Sequence, residues 1–389
     1  MTIYLDHSAT TATDPRVVEA MIPYFTEVYG NPSSTHRVGA NAARAIEQAR
    51  ETVAAILNCR PKEILFTSGG TESDNLAVRA VAWARRETGR HLVTSPIEHG
   101  AILKTVEQLA KEQGFTRTLI ALDSAGTVHP DAFVQACQPD TIFASVMYAN
   151  NEIGTVQPIA ELAALAHERG IIFHTDAVQA GGQQPLDVQA LGVDLLSLSG
   201  HKFYGPKGVG VLFVRSDTPF HTSQTGGGQE FGLRAGTQNV PLIVGFAKAL
   251  ELAYSDFSAR TTRFQSLRDR LITGILNSIP GSHLTGHASN RLCTHASFVF
   301  DSLPGGLLVG YLDKAGICAS SASACKAGSV EPSGVLLALG CEPELASTSL
   351  RLTVGLHTTE ADIDTAIEVI GESVRKLRAY AAESTDTAA

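Results

Sequence analysis

The chain has 389 residues, of which 44% are hydrophobic and 18% charged, the proportions of an ordinary globular protein. Its formal net charge of −9 argues against a nucleic-acid surface, which needs concentrated Lys and Arg, and no apolar run is long enough to span a bilayer. The length exceeds what one hydrophobic core organises, so a large and a smaller domain are expected.

The opening Met1-Thr2-Ile3-Tyr4-Leu5-Asp6 lacks the positive and apolar regions of a signal peptide, so a cytoplasmic location is expected. Asp14-Pro15 supplies an N-cap and a first-turn proline for a helix that carries Val18, Met21, Ile22 and Phe25 on one face and ends near Gly30. Helical spacing resumes over 41–58. Ile64-Leu65-Phe66-Thr67 predicts a strand, Ser68-Gly69-Gly70-Thr71 a turn, and Glu72 the start of a helix. Further strands are predicted at 91–94, 117–122, 142–147, 171–174, 194–198 and 209–214. Short apolar runs that alternate with helical patterns are the signature of βαβ units and a mostly parallel sheet.

From 240 to 279 the pattern is persistently helical, with Leu242, Phe246, Leu250 and Leu252 followed by Phe264, Leu267, Leu271 and Ile275, and reads as a bridge between domains. Strands at 296–300 and 350–354 and a last helix over 360–381 make an α+β remainder. The tail 383–389 has nothing to bury and is expected to be disordered. Cys59, Cys137, Cys293, Cys318, Cys325 and Cys341 show neither a CxxC pair nor a histidine at zinc spacing. No disulfide framework and no resident metal is expected, and most of the six read as buried reduced thiols.

In such a sheet, ligands bind where strands end and helices begin. Gly69-Gly70-Thr71-Glu72 suits an anion, because glycine permits close approach and a helix start exposes N–H groups; no Gly-Lys-Ser/Thr follows, so it is not a Walker A loop. Ser95-Pro96-Ile97-Glu98-His99 presents an imidazole able to stack on a ring and move a proton. Tyr148-Ala149-Asn150-Asn151-Glu152-Ile153-Gly154 presents amides for a phenolic oxygen. Phe173-His174-Thr175-Asp176 ends an apolar run in an acid suited to hold a heteroaromatic ring nitrogen in its protonated form, and the amide of Gln179 follows. Ser199-Gly200-His201-Lys202 puts a lysine at the end of a buried run, where desolvation disfavours the ammonium and suits the amine to Schiff-base formation. Each has a plainer reading when taken singly: Asp176 as an N-cap, His99 as a satisfied core histidine, Lys202 as a surface charge. At successive strand ends and in this order, they describe a pyridoxal 5'-phosphate site.

Gly30-Asn31-Pro32-Ser33-Ser34, Thr67-Ser68-Gly69-Gly70-Thr71-Glu72-Ser73-Asp74-Asn75, Asn150-Asn151-Glu152-Ile153-Gly154, Ser199-Gly200-His201-Lys202 and Arg234-Ala235-Gly236-Thr237 follow one another along the chain. On these motifs the sequence resembles the cysteine desulfurases of the NifS/IscS type, in the aminotransferase class V branch of the fold-type I pyridoxal-phosphate enzymes. The resemblance runs from Tyr4-Leu5-Asp6-His7-Ser8-Ala9-Thr10-Thr11 to the final helix. It implies an α/β fold: a large cofactor-binding domain at 16–255 with a mostly parallel central sheet flanked by helices, and a smaller α+β domain at 256–382. The N-terminal segment 1–15 would pack with the small domain, and 383–389 would form the tail.

The resemblance also implies roles. Lys202 is similar to the Schiff-base lysine and His99 to the ring-stacking acid/base. Asp176 would hold the pyridine nitrogen, and Asn151 and Gln179 would address the phenolic oxygen. Gly70, Thr71, Ser199 and His201 would hold the phosphate. Thr237 resembles a phosphate ligand donated by the neighbouring subunit, which implies a homodimer. Arg351 resembles the arginine that grips the substrate carboxylate, assisted by Asn151.

Cys325 stands in Ser320-Ser321-Ala322-Ser323-Ala324-Cys325-Lys326-Ala327-Gly328, a small-residue stretch suited to a mobile loop, and resembles the family's nucleophilic cysteine. Lys326 beside it would lower the thiol pKa, and Cys325 would also serve as a transient iron–sulfur ligand. Two residues depart from the family pattern: Ala322 replaces a glycine in the loop, and Phe231 stands where many relatives have arginine.

The implied function is pyridoxal-phosphate-dependent desulfuration of L-cysteine to L-alanine, with a persulfide on Cys325 for delivery to an iron–sulfur scaffold or thiolation enzyme. The competing readings are a cysteine/cystine or selenocysteine lyase, and a slow sulfur-relay scaffold.

Overall fold

The computed structural model describes residues 2–321 and 332–386. Cys325, Lys326 and Ala322 lie outside the described residues. In chain order the strands are β1 (Ile3–Tyr4), β2 (Ile64–Thr67), β3 (His91–Thr94), β4 (Thr116–Leu119), β5 (Thr141–Ser145), β6 (Ile172–Asp176), β7 (Leu195–Ser199), β8 (Gly210–Val214), β9 (Ser282–Leu284), β10 (His295–Phe300), β11 (Ile317–Cys318) and β12 (Leu350–Thr353). The seven strands β2 to β8 form one sheet in the order β2-β8-β7-β6-β5-β3-β4, parallel except for β8, which runs antiparallel to both neighbours. These are the strands expected from the sequence.

Every residue of β2, β3, β5, β7 and β8 is buried, as strands covered on both faces by helices must be. The period-two alternation of side chains splits the covering cores. Ile64, Phe66, Leu196, Leu198, Val211 and Phe213 face one of them, while Leu65, Leu195, Leu212 and Val214 face the other. A third core joins the helices Phe257–Ser278 and Glu360–Asp386 to the small sheet β12-β10-β9. Leu5 is buried in that third core and β1 pairs with β11, so the N-terminal segment is built into the C-terminal part of the fold.

Four details differ from expectation. The first helix stops at Met21 and a second short one begins at Pro23, because proline lacks the N–H that would continue the ladder. Val17 and Met21, not the expected Val18, Ile22 and Phe25, turn inward. The long helical region is broken at Asp256, whose backbone (φ −130°, ψ 37°) lies outside the helical basin. The last helix runs to Asp386 instead of ending near 381, and helix-favouring Ala381 and Ala382 carry it into the expected tail. Of the five described cysteines, all free, only Cys293 is buried; Cys59, Cys137, Cys318 and Cys341 are half-buried.

Candidate active site

The carboxyl ends of the parallel strands open on a cavity of about 310 Å³. After β2, Gly69 takes φ 152°, a conformation only glycine adopts freely, and the helix Gly70–Arg85 begins with its first N–H groups unused by the helix itself. A Cβ on Gly70 would lie 2.7 Å from Val178, so this residue must be small. Gly70 and Thr71 line the cavity at this end, with Ser199 from the end of β7 opposite. Glu72 fixes the turn by accepting the Ser68 N–H at 2.6 Å and pairing with Arg234 at 2.7 Å.

After β3, His99 caps the helix Gly100–Glu112: its Nδ1 accepts the Ala101 N–H at 3.2 Å. The neutral ring therefore carries its proton on Nε2. After β5, the two amides of the Asn150-Asn151 pair separate in role. Asn150 is spent on the turn, accepting from the N–H groups of Glu152 and Ile153, while Asn151 lines the cavity.

Asp176 ends β6, buried, with Oδ1 accepting the Val178 N–H at 2.9 Å. Burial raises its pKa, and the Val178 N–H, His99 and Lys202 pull it back. Gln179 donates to the Ser8 carbonyl at 3.1 Å. The turn Gly200–Lys202 follows β7. There His201 is held neutral, lowered to about 4 by burial and by the charges of Lys202 and Lys207. Lys202 is half-buried, not enclosed; its Nζ donates to the carbonyls of Ser8 and Ala9, at 2.9 Å for the latter. Arg351 on β12 lines the cavity, with Nη2 on Asp6 at 2.8 Å, Nη1 on the Asn151 carbonyl at 3.1 Å, and a buried Nε that no group among the described residues meets.

The fold thus gathers Gly70, Thr71, His99, Asn151, Asp176, Gln179, Ser199, His201, Lys202 and Arg351 around one cavity. Thr237 is exposed and outside that lining. The aminotransferase class-V family matches residues 3–365. The chain belongs to that family.

Among other proteins similar to this class-V chain, the cysteine desulfurase IscS of Methanosarcina thermophila is 48% identical over 376 residues, 97% of this chain and 93% of that one. A solved NifS-like protein superposes with a TM-score of 0.91 at 37% identity, covering 97% of this chain and all of its own. The structure of SspA in complex with cysteine has a TM-score of 0.81 at 37% identity, covering 91% of this chain and 99% of that one.

Like the rest of this kinship, this class-V enzyme depends on pyridoxal 5'-phosphate. The cavity fits that cofactor: a glycine cradle and helix start for an anion, a buried carboxylate for a ring nitrogen, a flat imidazole, and an amine within one compartment. Among the described residues no group of three or more His, Cys, Asp or Glu could hold a metal ion.

Sequence reasoning missed the groups that surround these residues. Asp74 lines the cavity, fully buried, 3.8 Å from His174 Nε2. Burial and the negative charge of Asp176 push its pKa well above the carboxylate range. Its signal was present: Asp74 shares a helix face with Ala77, Val78 and Val81, all buried. Glu98 is also fully buried, pushed up to about 8 by desolvation despite accepting from Ser95 and the Met147 N–H. His174, lowered to about 3 by burial, bridges the hydroxyls of Ser145 and Ser197 as a neutral ring. The Ser8 and Ala9 carbonyls and the Asp6 carboxylate come from a segment far away in sequence, and nothing local marks them.

Proposed function

We propose that this enzyme is a cysteine desulfurase that converts L-cysteine to L-alanine and stores the sulfur as a persulfide on Cys325. The observation that carries the reading is Arg351: a guanidinium oriented by Asp6 and the Asn151 carbonyl, with a buried Nε that no group among the described residues meets, in the same cavity as Lys202 and His99. Such an arginine fits an α-carboxylate. The relatives named cysteine desulfurase and the neighbour solved with cysteine supply the substrate class.

When bound, pyridoxal phosphate supplies an electron sink for the bond-breaking at the substrate α-carbon. The residues of the chain do the rest. Gly70, Thr71, Ser199 and His201 would hold the phosphate, Asp176 would keep the ring nitrogen protonated, and Asn151 and Gln179 would meet the phenolic oxygen. Lys202 would hold the cofactor and would carry the substrate α-proton at its Nζ. His99, with its Nε2 proton, manages the proton of the incoming thiol. The Cys325 thiolate attacks the substrate sulfur; an S–S bond forms as the Cβ–S bond breaks, and protonation of the carbon releases alanine.

The enzyme works as a homodimer in which Thr237 serves the neighbour's phosphate. Two features support this: Thr237 is exposed outside its own cavity, and Val18, Ile22, Phe25 and Tyr29, close together in the chain around the first two helices, are all exposed large apolar residues. The large cofactor-binding unit is 16–255 and the small unit 256–382 with 1–15, a division that follows the separate cores. The sulfur acceptor is an iron–sulfur scaffold or thiolation enzyme, a choice supported by the IscS name of the relatives. Free cysteines at every described position suit a reducing cytoplasm.

The test is Cys325→Ala. This variant keeps the yellow absorbance of the lysine-bound cofactor and loses alanine formation from cysteine. Continued alanine production would remove Cys325 from the mechanism, and pyruvate with ammonia would replace desulfuration with elimination.

A further inference from the structure

The turn 150–154, which brings Asn151 to the cavity, is gripped from the C-terminal part of the fold by three side chains. Arg291 Nη2 donates to the Ile153 carbonyl at 2.8 Å. Arg351 Nη1 and His295 Nε2 converge on the Asn151 carbonyl, at 3.1 and 3.2 Å. Sheet register brings these two together: His295 pairs with Thr353 and Ser297 with Arg351 across β10 and β12, so His295 and Arg351 are diagonal neighbours on one face. A carbonyl oxygen has two lone pairs, and the two donors use both.

His295 is fully buried, and its ring lies against the backbone of Gly154, where a Cβ would come within 2.8 Å of Cγ and Nδ1. Gly154 also takes φ 77°, so turn and imidazole fit each other only with glycine at this place. Burial, joined by the charges of Arg291 and Arg351, lowers the His295 pKa well below its ordinary value, and the ring is neutral. A carbonyl only accepts, so the single proton of that ring is on Nε2, while the buried Nδ1 meets no group among the described residues. A neutral donor suits the position, because a third cation beside Arg291 and Arg351 would add like-charge repulsion where water does not screen it. No step described above uses His295.

We propose that His295 is a positioning residue for the substrate carboxylate: by sharing the Asn151 carbonyl with Arg351, it fixes the Asn151 peptide and, through that peptide, the guanidinium and the amide that line the cavity. Arg351 has two acceptors that set its plane, the Asp6 carboxylate and the Asn151 carbonyl, and His295 holds the second of them in place. The inference rests on the reading of Arg351 as the carboxylate-binding residue of a desulfurase and adds a residue to it.

The experiment titrates cofactor-loaded full-length protein with L-alanine and, separately, with ethylamine, which is L-alanine without its carboxylate. Both dissociation constants are read from the cofactor's absorbance change at one pH. His295→Leu removes the donor, His295→Phe removes it and keeps a flat ring against Gly154, and His295→Gln returns an N–H near the Nε2 position. His295→Leu and His295→Phe should each bind L-alanine about tenfold more weakly than the parent, with ethylamine binding within about twofold. His295→Gln should recover most of the L-alanine affinity. Parental L-alanine binding in His295→Leu and His295→Phe, equal losses for both ligands, failure of both variants to fold, or no recovery in His295→Gln identifies a packing residue and overturns the assignment. A parent protein that binds L-alanine no more tightly than ethylamine removes Arg351 from carboxylate recognition, and the observation that carries the desulfurase reading then falls together with the role of His295.

Discussion

Arg351 donates from Nη2 to Oδ1 of Asp6 at 2.8 Å, tying β12 to the N-terminal segment beside the cavity. The same segment offers Ser8 and Ala9 carbonyls to Lys202, so one short stretch contacts both Arg351 and Lys202. Asp6→Asn keeps the shape of the contact and removes the charge that orients the guanidinium. Steady-state kinetics should show KM for L-cysteine raised roughly tenfold with a smaller change in kcat, since orientation of a carboxylate clamp is lost and the reacting groups are not. A drop confined to kcat would contradict the role given to Asp6.

His99 Nδ1 is engaged by the Ala101 N–H, which leaves Nε2 as its proton-bearing atom. Replacing it by alanine removes the proposed proton carrier and leaves the cavity's other groups in place. His99→Ala should retain bound cofactor, measured by absorbance, while kcat falls by about 10² to 10⁴, the range for loss of a general acid or base. Full activity with cofactor retained would exclude His99 from proton transfer.

Glu98 links pH to stability. Its carboxyl holds its proton up to about 8 in the folded protein, while the unfolded chain releases it near the ordinary value of 4.5. The folded state therefore binds more protons between these values, so this group's contribution to stability is full below pH 4.5 and declines as pH rises to 8. Asp74 and Asp176 are raised as well and act in the same direction. Glu98→Gln removes one of these contributions. In urea melts of cofactor-free protein, the stability of the variant relative to the parent should increase with pH across this window, by at most about 1.4 kcal/mol per unit. A constant difference between pH 5 and pH 8 would show that Glu98 does not titrate with folding.

The exposed apolar residues around the first two helices predict a quaternary effect. Ile22 is 56% and Phe25 60% exposed, beside Val18 and Tyr29. Ile22→Asp with Phe25→Asp should convert a dimer to a monomer at micromolar concentration, measured by light scattering on a sizing column. It should also cut activity at least tenfold if Thr237 completes the neighbour's site. A parent protein that is already monomeric and active would end this reading.

The inner strands of the large sheet were legible because they are short, mostly apolar runs bounded by turn residues, as burial on both faces requires, whereas the edge strand β4 (Thr-Arg-Thr-Leu) is largely exposed. The first helix was misread for the same reason: Val17, Val18, Met21, Ile22 and Phe25 are all apolar, and periodicity does not say which of two stripes meets the core. Packing decided it, because Met21 sits against Gly245, where a Cβ would approach its sulfur to 2.5 Å. The cavity residues at the strand ends were visible as exceptions to apolar runs: Asp176 closing β6, Lys202 following β7. Asp6, Ser8 and His295 were not, because their importance lies in contacts with residues 144 to 345 positions away.

By itself the sequence determined the sheet, the order of chemical groups along its strand ends and hence the cofactor class, because local patterning and side-chain chemistry are properties of the chain alone. The tertiary structure decided which groups share a cavity and in what state. It separated Asn150 as a turn-builder from Asn151 in the site, and set Asp74 and Asp176 together so that neither titrates as an isolated carboxyl. It also set Lys202 and Arg351 against the N-terminal segment. Desolvation and charge coupling depend on distances through space, and those exist only once the chain has closed on itself.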